Sequence, residues 1–376
     1  MRIVSVMTSS TRGGAEYAAV RLLDALAARG HESILLTSHP DTAEGTRVAA
    51  RQVDLGPKLA ARTWPRLALA WPALVRGLRR ELERVAPYDV LLLHFKKEQL
   101  LAARLPDELR ARLAWAEWGP VPPPMTGGPP GWLYRSAARQ VGAVLAVSEG
   151  TRRSLIAAGV PADRVGVVPN AIDPQRFRAL PEAGALHRKA LGVPDDAFLI
   201  GCLTRFNARK RNDVAIDAAA RLAAQPGPAV HLLMIGEGDT ETQLRARAAP
   251  LGDAAHFLPS TGAEPAELLS GCDVVVFCPS PTEGEPLAIS MGMLTERPVV
   301  ATAAEGATGL IEPGTGAIAV PDHDPDAVAA LLAGYRADPA LTRKEGLAAR
   351  ERAARRHDPA VIAERAEALL LRASRA

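Results

Sequence analysis

The sequence predicts an α/β chain of two doubly wound domains facing a cleft, on three observations. Short, continuous apolar runs alternate with stretches of helical period, the pattern of parallel sheets buried on both faces. The same plan is laid down twice, on either side of a polar, proline-containing stretch over residues 173–194 that reads as a linker. The length, 376 residues, exceeds one ordinary core, so about two domains are expected.

The elements follow in order. Residues 2–7 form an apolar first strand, and 15–29 carry helical period up to Gly30, a good helix stop. Strands are expected at 33–37, 89–94, 113–116, 143–148 and 165–169, with helices between. The second half gives strand 198–204, helix 211–224, strand 230–235, helix 241–249 and strand 256–258. The unit 272–301 then reads as strand 273–278, a Pro/Ser/Thr turn, an exposed acidic loop, helix 287–295 and strand 298–301. A strand at 317–320, helices after Pro325 and a last helix over 359–373 complete the chain.

Hydrophobic residues make up 48% and charged residues 23%, a soluble balance. No apolar run approaches the ~20 residues a bilayer span needs. The amino-terminal MRIVSVMTSS turns polar too soon for a signal peptide. Cys202, Cys272 and Cys278 sit in apolar contexts and read as reduced core residues of a cytoplasmic protein. No Cys/His set has metal-site spacing. Net charge is +3, from 45 basic and 42 acidic residues, too mild to argue for nucleic acid. Arginine beside abundant Ala and Pro points to a GC-rich genome as much as to a function.

Open α/β sheets bind ligands in loops leaving the carboxyl ends of strands, where helix N–H groups and dipoles favour anions. Five such loops stand out: Gly13-Gly14-Ala15-Glu16; Pro169-Asn170-Ala171-Ile172-Asp173; Thr204-Arg205-Phe206-Asn207-Ala208-Arg209-Lys210; Gly236-Glu237-Gly238; and Pro279 to Leu287, with Glu283-Gly284-Glu285-Pro286 at its centre. None is a dinucleotide fingerprint, which disfavours an oxidoreductase.

Together these loops resemble the retaining glycosyltransferases of family 4. That family carries P-S-x-x-E-G-F-G-L with a second Glu eight positions after the first; Pro279, Ser280, Glu283, Gly284 and Leu287 match, while Glu285, Pro286 and Met291 depart. The resemblance implies the GT-B fold of two Rossmann-like domains, with residues 1–175 taking the acceptor, 176–357 taking the nucleotide sugar, and 358–376 crossing back. It implies sugar transfer from a nucleoside diphosphate, most simply a UDP-sugar, with no cofactor. Arg205 and Lys210 match the pair that holds the diphosphate, where fixed cations stabilise charge on the leaving phosphate. The competing reading is a solvated basic turn. Glu283 matches the carboxylate facing the donor sugar. Gly13, Gly14 and Glu16 match a loop near the phosphates and acceptor; Gly236 and Gly238 match a loop near the nucleotide; Asn170 matches the segment closing the first domain. Glu117 lies near a position where relatives carry a His, and can accept the acceptor's proton unless the leaving phosphate does. His94 is a second candidate, against a purely structural role.

The departures carry their own expectations. Glu285 is expected to meet a polar or cationic group on an unusual donor, such as an amino sugar. Pro286 deletes a backbone N–H. Met291 stands where the family holds the ribose hydroxyls with Glu, so either Glu296 or the backbone compensates, the donor is unusual, or the chain is a non-catalytic partner subunit. A sugar-nucleotide 2-epimerase or hydrolase of the same fold is the other alternative. Residues 57–85 carry Trp64, Trp71 and six arginines, a membrane-surface pattern, but Pro65 and Pro72 interrupt the period, and membrane contact is not favoured. Residues 119–131 read as a Pro/Gly loop. The composition leans towards a specialised bacterial pathway, such as natural-product decoration. Oligomeric state is left open.

Overall fold

A computed structural model of the chain describes residues 1–9, 13–60, 62–110, 112–260, 264–280, 283–320 and 322–375. The Pro/Ser/Thr turn before Glu283 therefore lies partly outside the described residues. The chain divides into two compact units, Met1–Ile172 with His357–Ala376, and Asp173–Arg356. The chain thus leaves the first unit three residues earlier than the expected boundary. Ile172 N donates to His357 O at 3.0 Å, tying the outgoing and returning strands together.

The first unit holds seven strands: β1 (Arg2–Met7), β2 (Glu32–Thr37), β3 (Ala49–Gln52), β4 (Val90–Leu93), β5 (Leu113–Glu117), β6 (Ala143–Ala146) and β7 (Val165–Val167). All pair in parallel in the order β3-β2-β1-β4-β5-β6-β7. Alternate residues of β1 enter opposite cores, Val4 and Val6 on one face, Ile3 and Met7 on the other, as strand pleating requires. The last helix, Pro359–Arg375, packs on this second face. Its stripe of Ile362, Ala363, Ala366, Leu370 and Ala373 is fully buried, and each large aliphatic is worth about 1.5–3 kcal/mol.

The second unit holds β8 (Phe198–Leu203), β9 (Val230–Ile235), β10 (Ala255–Leu258), β11 (Val274–Phe277), β12 (Val299–Thr302) and β13 (Gly316–Ala319), parallel in the order β10-β9-β8-β11-β12-β13. In both sheets the order reverses after the first strand, so each has a switch point, between β1 and β4 and between β8 and β11.

One strand was not foreseen and three local expectations are corrected. Strand β3 is short and mostly exposed (AARQ), too polar to read as apolar. The linker stretch contains a helix, Pro181–Ala190, started by proline in its first turn. The Pro/Gly loop gives way to helix Gly128–Ala138. Helix Trp64–Val85 runs through Pro72; the carbonyl that Pro72 leaves without its helical donor belongs to Ala68, an exposed residue. All three cysteines are buried and free. Among the described residues no helix is long and apolar enough to cross a membrane.

Candidate functional site

The second switch point gathers the strongest sequence signals. After β8 the chain turns through Thr204 to Arg211. Asn207 Oδ1 accepts from Arg209 N at 3.1 Å, capping a 3-10 turn over Ala208–Lys210. Arg211 takes a left-handed φ of 44° and pairs with Asp213 at 3.0 Å. After β11, Ser280 N donates to Arg209 O at 2.8 Å, which joins the two loops. Lys210 Nζ then reaches Glu283 Oε1 at 2.9 Å, and its ammonium lies 5.2 Å from the centre of the Phe277 ring. The structure thus brings together Lys210 and Glu283, residues far apart in sequence. Both are partly accessible, 22% and 14% exposed at the side chain. Arg205 is exposed at the end of β8.

The loop carrying Glu283 is not the exposed acidic loop expected. Gly284, Glu285 and Pro286 are buried. A Cβ on Gly306 would stand 2.4 Å from Gly284 O, so only glycine lets the next loop press against this one. At the loop's start Pro279 O accepts from His323 Nε2 at 2.7 Å. Glu285 is corrected most sharply: its side chain is 1% exposed, and Arg356 Nη2 and Nε both donate to its Oε1, at 2.9 and 3.1 Å. Its charge is spent on Arg356, not offered to a donor. Pro286 sits at the cap of helix Leu287–Leu294, and Leu287 opens that helix. Met291 is 9% exposed in a helix whose buried residues are Ile289 to Leu294. Glu296 follows the helix's far end and lies 3.7 Å from Arg350; eight helical residues, about 12 Å, separate it from the Glu283 end, so it does not compensate for Met291.

Gly236 and Gly238 have a structural cause. Their φ values are 152° and 159°, and a Cβ on either would stand 1.8 Å from Thr204 O or 2.0 Å from Phe206 O. Phe206 N donates to Glu237 O at 2.8 Å. The G-x-G spacing lets this loop zip to the β8 loop, a packing reason for both glycines.

In the first unit the polar residues form a buried network. Gly13 caps helix Gly14–Ala28 with extended backbone. Glu16, on that helix, accepts from Ser9 Oγ at 2.9 Å and Lys58 Nζ at 2.8 Å. Glu98 Oε1 accepts from Thr8 N at 3.2 Å and from the Thr8 hydroxyl. Burial holds Glu98 above the usual carboxylate range, against the nearby Lys97 ammonium, which burial holds low. Glu117, at the end of β5 and 4% exposed, accepts from Lys96 Nζ and from Gln99 Nε2 at 3.0 Å. The expected catalytic carboxylate is thus a buried one, with Lys96 and Gln99 both on its Oε1. His94 is corrected too: Trp118 Nε1 donates to its Nδ1 at 3.3 Å, leaving Nε2–H for Ser5 Oγ at 2.5 Å. Burial pushes its pKa down to about 3, so it is neutral and structural. Asn170 is buried at the crossing, its carbonyl accepting from His357 Nδ1 at 2.9 Å.

Sequence reading missed Lys96, His323, Gly306 and Arg356. A Phe-Lys-Lys-Glu run directly after an apolar strand was a signal for Lys96; for Arg356 the one signal was a carboxylate at a position where the pattern asks for an apolar residue. Among the described residues no cluster of His, Cys, Asp and Glu could hold a metal ion.

Two parallel sheets with loops of this kind define a class, and the comparisons place the chain in it. Residues 12–176 match the family model described as Glycosyltransferase Family 4, and residues 197–338 match Glycosyl transferases group 1. The chain belongs to this glycosyltransferase family. It is 35% identical over 173 residues to the D-inositol 3-phosphate glycosyltransferase of Stackebrandtia nassauensis, covering 43% of this chain and 38% of that one. It is 31% identical over 199 residues to the amylovoran biosynthesis glycosyltransferase AmsK of Erwinia amylovora, covering 50% and 46%. The matched stretch spans under half the length of each of these two curated relatives. The crystal structure of Anabaena HepE in complex with UDP superposes with a TM-score of 0.81 over 99% of this chain and 100% of its own, at 22% identity. The fold class is therefore that of GT-B glycosyltransferases.

Proposed function

We propose that the chain transfers a sugar, with retention at the anomeric carbon, from a nucleoside diphosphate to a hydroxyl acceptor. The observation that carries this reading is the Lys210–Glu283 pair across the β8/β11 switch point. An incoming diphosphate competes with Glu283 for the Lys210 ammonium and is met also by Arg205 at the same loop. Glu283, released, then faces the sugar, where a carboxylate stabilises oxocarbenium-like charge. As the sugar–phosphate bond breaks, the electron pair goes to the leaving phosphate, whose growing charge the two cations take up. In this reading they do the work that a metal ion does in other transferases. The acceptor's proton goes to that phosphate, because Glu117 and His94 are both engaged.

UDP is the favoured carrier, in keeping with the HepE complex. The inositol-phosphate and amylovoran relatives support a hydroxyl on a small molecule, glycan or lipid as acceptor, in a specialised bacterial pathway. Calorimetric titration with UDP, GDP and ADP, in buffer with EDTA, tests the reading. Wild type binds one of them and Lys210→Ala does not. Binding of none favours a non-catalytic subunit; turnover of the sugar nucleotide with water alone favours the hydrolase or epimerase class. NMR of the product anomer checks retention.

A further inference from the structure

One peptide unit just beyond the carboxyl end of β11 is held from both sides. It joins Pro279 to Ser280. Its N–H, on Ser280, donates to Arg209 O at 2.8 Å. Its carbonyl, on Pro279, accepts from His323 Nε2 at 2.7 Å. Both groups lie in one rigid plane, so whatever turns the carbonyl turns the N–H with it. His323 stands between β13 and helix Pro325–Ala337, at a left-handed φ of 58° that His adopts more readily than most side chains. Its side chain is 15% exposed, and its Nδ1 lies 2.8 Å from Asp322 Oδ2. Asp322 Oδ1 in turn accepts from Ala303 N at 3.0 Å. The ring is therefore aimed by a carboxylate that is itself tied to main chain just past β12. The Thr302 hydroxyl also reaches Pro279 O, but at 3.4 Å, beyond the usual span of an O–H donor.

From this we infer that His323 is a positioning residue: through the Pro279–Ser280 peptide it sets where the Arg209–Lys210 turn stands against β11, and so where Lys210 meets the diphosphate. The inference rests on the functional reading above. Arg209 and Lys210 end the 3-10 turn that Asn207 caps from within; the Ser280 N–H ties that turn to the neighbouring strand's loop. A donor on a peptide's carbonyl also polarises the unit and strengthens its N–H as a donor. Without His323, Pro279 O is not orphaned, because the Thr302 hydroxyl remains. It is held only by that longer contact, from another direction. The plane then tilts, the Ser280 N–H meets Arg209 O less squarely, and Lys210 loses its fixed place. The effect is that of weakening one hydrogen bond, not of breaking the site.

The test compares wild type with His323→Gln, His323→Asn and His323→Ala. The Gln side chain carries an N–H as far out as Nε2, whereas Asn ends near the place of Nδ1, so only Gln keeps the bond to Pro279 O. Asn suits a left-handed backbone at least as well as His, so its effect is not one of backbone strain. Affinity for UDP, or for whichever of GDP and ADP the wild type binds instead, is measured by calorimetry, and stability by urea denaturation. His323→Asn and His323→Ala are expected to weaken nucleotide binding about 3- to 10-fold, the range one hydrogen bond sets, while His323→Gln stays within about twofold of wild type. The same order is expected in kcat/KM with the sugar nucleotide that the wild type uses. The inference is overturned if His323→Asn binds as wild type does, if His323→Gln loses as much as His323→Asn, or if affinity falls only in step with urea stability, as a merely structural role would give. If the wild type binds no nucleotide at all, the functional reading itself has failed, and the inference with it. Binding by wild type but not by Lys210→Ala keeps that reading, whatever the His323 variants do.

Discussion

At the switch point of the first sheet the carboxylates of the ion pairs are buried; at that of the second the Lys210–Glu283 pair is partly accessible. Glu16 with Lys58, Glu98 with Lys97 and Glu117 with Lys96 are pairs in which the carboxylate is 5% exposed or less. Across the β8/β11 edge, Lys210 and Glu283 are partly accessible, and Arg205 and Arg209 are exposed. A buried, fully paired charge specifies a shape, because moving it strands its partner. A partly hydrated pair is easier to exchange, since water can replace either partner. On the proposed reading, the same fold makes one edge a scaffold and the other a receptor for anions.

The sharpest way to break this comparison is to delete a cation on each side. Lys96→Met strands Glu117 and is expected to destabilise the protein by about 3–5 kcal/mol, read from urea denaturation; a loss below about 1 kcal/mol would put Lys96 outside the scaffold. Lys210→Ala should change stability by no more than about 1 kcal/mol. Its cost appears in transfer, about 100- to 1000-fold in kcat/KM, the range found for deleting one donor to a developing negative charge. Should Lys210→Ala unfold the protein and leave transfer intact, the two edges would have to exchange roles.

A pH experiment sharpens the scaffold side. His94 titrates near 3 in the folded protein because burial disfavours the imidazolium, against about 6.5 when unfolded. Above about pH 6.5 both states are neutral and the residue has no pH effect. As pH falls from there the unfolded state takes the proton, so stability drops by up to about 1.4 kcal/mol per pH unit. Burial also lowers His231 and His256, so between pH 6.5 and 5 the denaturation midpoints of wild type and His94→Asn should both fall, and more steeply in wild type. Equal slopes would mean that the imidazole protonates in place.

The fold was legible because its strands are short apolar runs and its stops are glycines and prolines; β1 and β9 fall where the pattern places them. What failed was local. The exposed strand β3 has no apolar signal, and Pro72 was read as a break although the helix runs through it on an exposed face. Of the site, Lys210 and Glu283 were legible through loop position and resemblance, since both motifs follow strands that the sheet order makes neighbours. Partnerships were not. Nothing in the spacing says that Glu285 meets Arg356, that Glu117 is paired with Lys96, or that Gly236 and Gly238 are required by the carbonyls of Thr204 and Phe206. A motif gives a residue's address; its charge state and freedom to act are set by contacts many positions away.

Met291 offers the smallest effect and the finest distinction. The family pattern asks for a carboxylate there, and Met291 stands instead in an apolar helix at 9% exposure. Two accounts differ in what the sulfur does. If it only fills space, Met291→Leu is a volume-conserving change costing less than about 1.5 kcal/mol, and UDP affinity stays as it was. If the thioether packs against the bound nucleoside, Leu changes that contact and affinity falls while stability does not. A thioether is a weak acceptor and cannot replace a carboxylate toward two hydroxyls, so space-filling, with UDP affinity unchanged in Met291→Leu, is the expected outcome. Calorimetry of Met291→Leu with UDP, beside its thermal midpoint, decides between them. A large loss of affinity without loss of stability would move Met291 from the scaffold into the receptor edge and show that the two are not cleanly divided even within one helix.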